Sequence, residues 1–341
     1  MPNFYILIVA PPGEAKKSTS TSLGMSMLAE IGADMGPEVS TWQALITHMA
    51  ANQKLTKVGH DEVQMTCTTL ELSEFGSFFD SQDRSLIDIL VRLWDNKPGP
   101  LLKETKKDGC ETIANPWLNI LAATTPDWIA SNFTEMMVGG GLASRMLYVH
   151  VDKSSQDIPY PSRNPTKVDW KARVSLVARL KEISELSGQF KLTEEAFEWG
   201  DKWYHESKAR MRASESKIEN SFFVREQTQL HKLAMIVSVS RGHFPSITLE
   251  DLQEADSRLK ELSGDVKRVF NVVGQTPVTK TAADIVEALV KNGPVSTMTL
   301  YRRQFMRTKS VKDYFESLNC VVRGGLVCSY GDTVDPMLKV I

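Results

Sequence analysis

Lys17 and Ser18 are the residues on which any chemistry in this chain would turn. They follow an apolar run, Tyr5-Ile6-Leu7-Ile8-Val9, and a Pro11-Pro12-Gly13 turn, and they open a Ser/Thr-rich helical stretch. A strand, a tight loop and a helix start, in that order, turn backbone N–H groups and a helix N-terminus toward an anion while a lysine reaches the outer phosphates. Pro12, Gly13, Glu14, Ala15, Lys16, Lys17, Ser18 and Thr19 are therefore the candidate phosphate-binding residues. The strict pattern of Gly, four residues, Gly, Lys and Ser/Thr is not met. Pro11 stands at the first glycine position and Lys16 at the second.

Cleaving a phosphoanhydride at such a loop takes further parts, and the chain offers a candidate for each in order. Thr68-Thr69-Leu70-Glu71-Leu72-Ser73-Glu74 reads as a strand ending in a carboxylate, where Glu74 would polarise the attacking water. Ser73 occupies the place of the usual Asp, so Mg²⁺ would lean on Ser18, water and Glu74; the plainer alternative is a strand followed by an exposed Glu. The run Trp117–Ala123 breaks off at Thr124-Thr125-Pro126, and either hydroxyl could sense the γ-phosphate. Arg145 follows three glycines and precedes a last strand, where it could reach the γ-phosphate of a neighbouring subunit or form a structural ion pair. Arg225, in a long helix, is a candidate nucleotide sensor or a surface residue, and His231 reads as a packed helix residue.

Apolar periodicity gives the elements that must position these groups. Strands are expected at 4–10, 67–73, 117–123 and 146–151, with helices at 18–33, 39–51 and 83–94, the alternation of an α/β core with a parallel sheet flanked by helices. Pro100–Ile113 reads as two short strands around a Lys106-Lys107-Asp108-Gly109 turn. A Pro-rich linker, 154–167, precedes helices at 169–186, 193–214, 222–240 and 249–269, and a second linker lies near 274–279. The final stretch reads as helices at 282–291, 298–307 and 311–318 and a Gly-Gly hairpin over 320–328, the element order of a winged helix. Its Arg302, Arg303, Arg307, Lys309 and Lys312 could hold a duplex backbone, although such modules also bind proteins. The expected parts are an ATPase core at 1–152, a helical lid at 168–272 and a winged-helix-like domain at 279–341.

Taken together, Pro2–Thr19, Thr41–Ile46, Ser73-Glu74-Phe75, Asn115–Pro126 and Gly141–Tyr148, and more weakly His231–Ala234, resemble a family of P-loop proteins of unassigned function from phages and mobile elements. Members are often fused or adjacent to primases and are replicative helicase-like. The family often keeps a basic residue before its Lys-Ser pair, as Lys16 does here. Arg145 resembles the arginine finger of AAA+ ATPases, and the 101–113 hairpin resembles the pre-sensor-1 hairpin of superfamily III and MCM-type helicases. The resemblance implies ATP and Mg²⁺ as cofactors, a homo-oligomeric ring, expected to be hexameric, and single-stranded DNA gripped in its pore by Lys106 and Lys107. The chain opens directly on the loop strand, without the N-terminal helix that usually packs on adenine in AAA+ proteins, so the expectation is either a loosely held base or a truncated or minimal form whose initiating or primase portion lies in another polypeptide.

Composition narrows the class. The 341 residues are 42% hydrophobic and 24% charged, as in ordinary globular proteins. No apolar run approaches the ~20 residues of a membrane span. The N-terminus lacks the features of a signal peptide. With no CxxC spacing among four cysteines and six scattered histidines, reduced thiols, no zinc site and a cytoplasmic setting in a bacterial or phage-infected cell are expected. A net charge of −2 confines nucleic-acid contact to local basic patches. The leading expectation is an ATP-driven, ring-forming DNA helicase or translocase, with a primase or initiator as candidate partner. A helicase loader or initiator using ATP as a switch is the alternative, and a DNA-binding regulator with an inactive P-loop is the third.

Overall fold

The computed structural model describes residues 2–37, 41–58, 61–97, 99–105, 109–133, 137, 141–152, 170–270, 277–304, 310–332 and 334–341. The chain forms two units, Met1–Phe270 and Asn271–Ile341.

The first unit is built on a mostly parallel sheet. Its strands are β1 (Tyr5–Val9), β2 (Asp34–Met35), β3 (Lys54–Val58), β4 (Asp61–Leu72), β7 (Pro116–Thr124) and β8 (Met146–His150). The spatial order is β2-β4-β7-β1-β8, all parallel, with β3 antiparallel to the first half of β4. The apolar runs made central strands: Tyr5, Leu7 and Val9 share one fully buried face with Leu70 and Leu118, while Ile6 and Ile8 on the other face are half-buried. Helices α1 (Lys17–Glu30), α2 (Trp42–Ala51), α3 (Arg84–Asp95) and α4 (Pro126–Asn132) follow the strands. Side chains fix where they start. Thr41 accepts from the Ala44 N–H, Asp83 from that of Leu86 and Thr125 from that of Trp128. Between α3 and β7 the strands β5 (Leu101–Thr105) and β6 (Gly109–Ile113) pair as the expected antiparallel hairpin; Lys106 and Lys107 lie outside the described residues.

Four long helices follow: α5 (Trp170–Ser184), α6 (Glu194–Ala213), α7 (Lys217–Arg241) and α8 (Leu249–Phe270), with a two-residue parallel pairing of β9 (Lys191–Leu192) and β10 (Ser246–Ile247). Trp203, Leu230, Ala234, Leu252 and Leu259 form their core. Helix α8 packs directly on β8. An unbroken series of aromatic contacts also joins sheet and helices. It runs from Phe75, stacked on Phe79, through Trp128 and Phe133 to Tyr148, and on to Phe222 of α7 and Phe270 of α8, with each ring centroid 4.8–6.2 Å from the next.

The second unit holds α9 (Pro277–Asn292), β11 (Val295–Ser296), α10 (Thr297–Gln304), α11 (Val311–Arg323), β12 (Val327–Tyr330) and β13 (Met337–Val340), with the antiparallel order β11-β13-β12. Ile285, Leu289, Leu300, Tyr314, Val321 and Leu338 are among its core residues. The hairpin expected over 320–328 is corrected. Cys320–Arg323 is the last turn of α11, and the hairpin pairs Val327–Tyr330 with Met337–Val340. Gly324-Gly325 ends the helix: the Leu326 N–H reaches the Val321 carbonyl, the Gly325 N–H reaches that of Val322, and Gly325 takes φ +71°. Two glycines that read as a hairpin turn are a Schellman stop.

Candidate functional site

The strand register brings the loop and its partners to one edge of the sheet. Val9 pairs with Thr124, and Leu72 pairs with Ala122 two residues earlier, so the C-terminal ends of β1, β4 and β7 lie side by side. Ligands of open α/β sheets bind outside this edge. The loop after β1 is shaped by two left-handed residues, Gly13 (φ +77°) and Lys16 (φ +46°, ψ +38°). Lys16 thus adopts at the second glycine position the backbone conformation that glycine favours. The loop turns over Pro12–Glu14 before α1 opens at Lys17. It thus leads into a helix N-terminus, whose first N–H groups have no intrahelical partner.

Lys17 connects the strands. Its Nζ donates to the Ala10 carbonyl at 2.6 Å and the Thr124 carbonyl at 2.8 Å. Burial lowers its pKa, and the Glu74 carboxylate opposes that shift by favouring the charged form. Glu74 is exposed at the turn leaving β4, where its own carbonyl accepts from the Ser77 hydroxyl at 2.8 Å. Ser18 and Thr19 are exposed at the first turn of α1. The two threonines are differently engaged. Thr125 Oγ1 caps α4, accepting from the Trp128 N–H at 3.2 Å, whereas Thr124 is 2% exposed and its Oγ1 has no partner. A lysine within reach of a carboxylate, a helix N-terminus and hydroxyls in its first turn are groups that a polyphosphate with a divalent cation can use. Among the described residues, no three His, Cys, Asp or Glu side chains cluster as a metal site of their own.

Two expected members of the site lie elsewhere. Arg145 immediately precedes Met146, which pairs with Tyr5 at the start of β1, while the loop follows the other end of that strand. A strand of this length separates them by about 15 Å. The guanidinium is enclosed: it donates to both Asp95 oxygens at 2.9 Å and to the Gly141 carbonyl at 2.7 Å, and it lies over the Trp94 ring. Arg145 is 3% exposed. A finger must present a free guanidinium to a neighbour, so the arginine-finger expectation gives way to an internal ion pair. Arg225 belongs to the same edge. Desolvation lowers its pKa first, then repulsion from Arg145, against attraction by Asp95.

Sequence reading missed the rest of that cluster. Lys232 is buried, donating to Asn3 Oδ1 at 2.6 Å and to the Asn3 and Trp94 carbonyls at 3.3 Å, with its Nζ 3.5 Å from the Trp94 ring centroid. Asp95 was the available signal. An acid in the last turn of a helix opposes the helix dipole and implies a cation nearby.

In the second unit Arg302, Arg303 and Lys312 are exposed, the first two in the last turn of α10 and the third in the first turn of α11. Arg307 and Lys309 lie outside the described residues. No protein-family model matches the chain, and no curated protein matches its sequence. Among the described residues, no helix is long and apolar enough to cross a membrane.

Proposed function

We propose that the chain binds and hydrolyses ATP with Mg²⁺ and uses the energy as a ring-forming DNA helicase or translocase in phage or mobile-element replication. The observation that carries the nucleotide part is the convergence of Lys17, the 13–19 loop, Glu74 and Thr124 on one sheet edge. ATP–Mg²⁺ supplies the phosphoanhydride and a cation that neutralises developing charge. The loop amides cradle the phosphates, Lys17 exchanges its two carbonyl partners for phosphate oxygens, and the Ser18 hydroxyl holds the cation. Glu74, aided by the hydroxyl of Thr124 or Thr125, orients water. The β5–β6 hairpin, with Lys106 and Lys107 between its strands, supports the contact with single-stranded DNA. The winged-helix reading of 279–341 is supported by the three-stranded sheet and three helices of the second unit, and it gives Arg302, Arg303 and Lys312 to a duplex backbone.

One observation favours the second reading, an ATP-dependent loader or initiator. Arg145 is held by Asp95 of its own chain, so a charge supplied across a subunit interface would have to come from another residue. DNA-stimulated ATP hydrolysis decides the first question. The rate should fall at least a hundredfold in Lys17→Ala and Glu74→Gln, and fall toward the DNA-free level in Lys106→Ala/Lys107→Ala. Equal rates in wild type and all variants would refute the motor. Hydrolysis without unwinding of a forked duplex would select the loader.

A further inference from the structure

Arg225 differs from the other cations at the N-terminal edge of the sheet. Arg225, Gln229 and Lys232 recur at i, i+4 and i+7, so they share one face of α7. Gln229 and Lys232 are tied down there, the first to the Arg145 carbonyl and the second to Asn3 and Trp94. Arg225 is half-buried, and among the described residues its guanidinium donates no hydrogen bond and forms no ion pair. Its neighbour in sequence, Glu226, is committed to Ser207 and Arg210. Arg145, Arg225 and Lys232 interact here with a single carboxylate, Asp95, and Arg145 already takes both of its oxygens. The corner therefore carries a surplus of positive charge and a guanidinium fork with no acceptor.

The same corner leads into the β5–β6 hairpin. Helix α3 ends at Asp95, the Asn96 side chain lies within hydrogen-bond distance of Asn3, and β5 opens at Leu101. On this short path Lys97 is exposed and has no partner among the described residues. Arg92 is exposed as well and spends one N–H on the Pro100 carbonyl, at the foot of the hairpin. We propose that Arg92, Lys97 and Arg225 form a phosphate track that carries single-stranded DNA from the hairpin across the N-terminal edge of the sheet. The track rests on the single-strand reading of that hairpin. A guanidinium fork matches two oxygens of one phosphate, which is the acceptor Arg225 lacks. A polyanion suits a line of separate cations, whereas an isolated carboxylate or a free phosphate would meet only one of them. Contacts of this kind hold the backbone without reading sequence.

Fluorescence anisotropy of a labelled oligothymidylate with the full chain, without nucleotide and across about 50–200 mM NaCl, tests the track. Each phosphate contact to a single strand contributes about 0.7 to the slope of log K against log salt, which is about fivefold in affinity at 0.1 M salt. Arg225→Gln should therefore lower the slope by about 0.7 and weaken binding about fivefold, and Lys97→Ser should do the same. Arg225→Lys, which keeps the charge and loses the fork, should retain the wild-type slope. Lys97 is exposed, so Lys97→Ser decides the matter should Arg225→Gln fold poorly. Wild-type binding with an unchanged slope in both Arg225→Gln and Lys97→Ser overturns the track alone. No binding by wild type overturns the track together with the single-strand reading. An unchanged DNA slope in Arg225→Gln with weakened binding of inorganic pyrophosphate would overturn the track in favour of a free phosphate ligand.

Discussion

Lys16→Gly should stabilise the first unit, against the usual cost of introducing glycine. Lys16 sits at φ +46°, ψ +38°, caps α1 without a side-chain hydrogen bond, and is exposed. An L-residue in this region costs about 1–2 kcal/mol relative to its ordinary conformations. Glycine would remove that strain and return about 0.5–1 kcal/mol through the extra freedom of the unfolded chain. The net gain is about 0.5–1 kcal/mol. For a cooperative unit of 270 residues, with an unfolding entropy of about 2.1 cal/mol/K per residue, this raises Tm by about 1–2 °C. Differential scanning calorimetry of wild type, Lys16→Gly and Lys16→Ala measures it. Lys16→Ala removes the same charge but keeps the Cβ, so it should stay within about 0.5 °C of wild type. Gly13→Ala is the mirror experiment. Its φ is +77° and nothing lies within 4 Å of the added Cβ, so the expected loss of about 1 kcal/mol is pure backbone strain. Equal shifts in Lys16→Gly and Lys16→Ala would refute the reasoning and assign the effect to charge.

Asp95→Asn leaves the enclosed Arg145 guanidinium without its counter-charge and should cost about 3 kcal/mol in urea denaturation, with part recovered in Asp95→Asn/Arg145→Met; a loss under about 0.5 kcal/mol would show that the pair contributes little. Gly76→Ala places a Cβ on the Trp128 indole nitrogen, within the ring series, and should destabilise by about 1–3 kcal/mol with a change in tryptophan emission; unchanged emission and Tm would count against that tight fit. Lys232 has its pKa lowered to about 8, chiefly by burial, against about 10.4 in the unfolded chain. Between those values the unfolded chain holds a proton that the folded one has lost, so stability gains up to about 1.4 kcal/mol per pH unit on going from pH 8 to 10; the cost of the shift is fully present below that window and vanishes above it. The difference between wild type and Lys232→Met, followed by urea denaturation across pH 7–10, isolates this slope, and a flat or falling difference would refute it.

The sheet was readable in the sequence because its central strands have one fully buried and one half-buried face and therefore appear as apolar runs such as Tyr5–Val9 and Trp117–Ala123. The β3–β4 arm was missed for the opposite reason. Lys54, Leu55, Lys57, Asp61 and Glu62 are exposed, so no buried face imposes an apolar pattern on them. The loop and Glu74 could be placed in the sequence because both follow the ends of apolar strands, β1 and β4. Arg145 was located correctly in the chain but misread, since its role is decided by Asp95, 50 residues away, and pairing across that separation leaves no local spacing. Gly324-Gly325 failed differently: the same dipeptide suits a hairpin turn and a helix stop. Helical spacing of the core positions decides it, with Tyr314, Leu318 and Val321 buried on one face of α11 and Cys320 exposed.

The aromatic series from Phe75 to Phe270 bears on how the protein melts. The sequence reads as a core and a separate helical domain joined by a linker, an arrangement that commonly gives two unfolding steps. Each edge-to-face contact adds about 0.5–1.5 kcal/mol beyond burial, and Tyr148 alone touches Phe133, Phe222 and Phe270. Detaching α7 and α8 would strip these contacts from the sheet at once. Residues 1–270 should therefore lose structure in one calorimetric transition, making the ring series the element that turns two apparent domains into a single cooperative body.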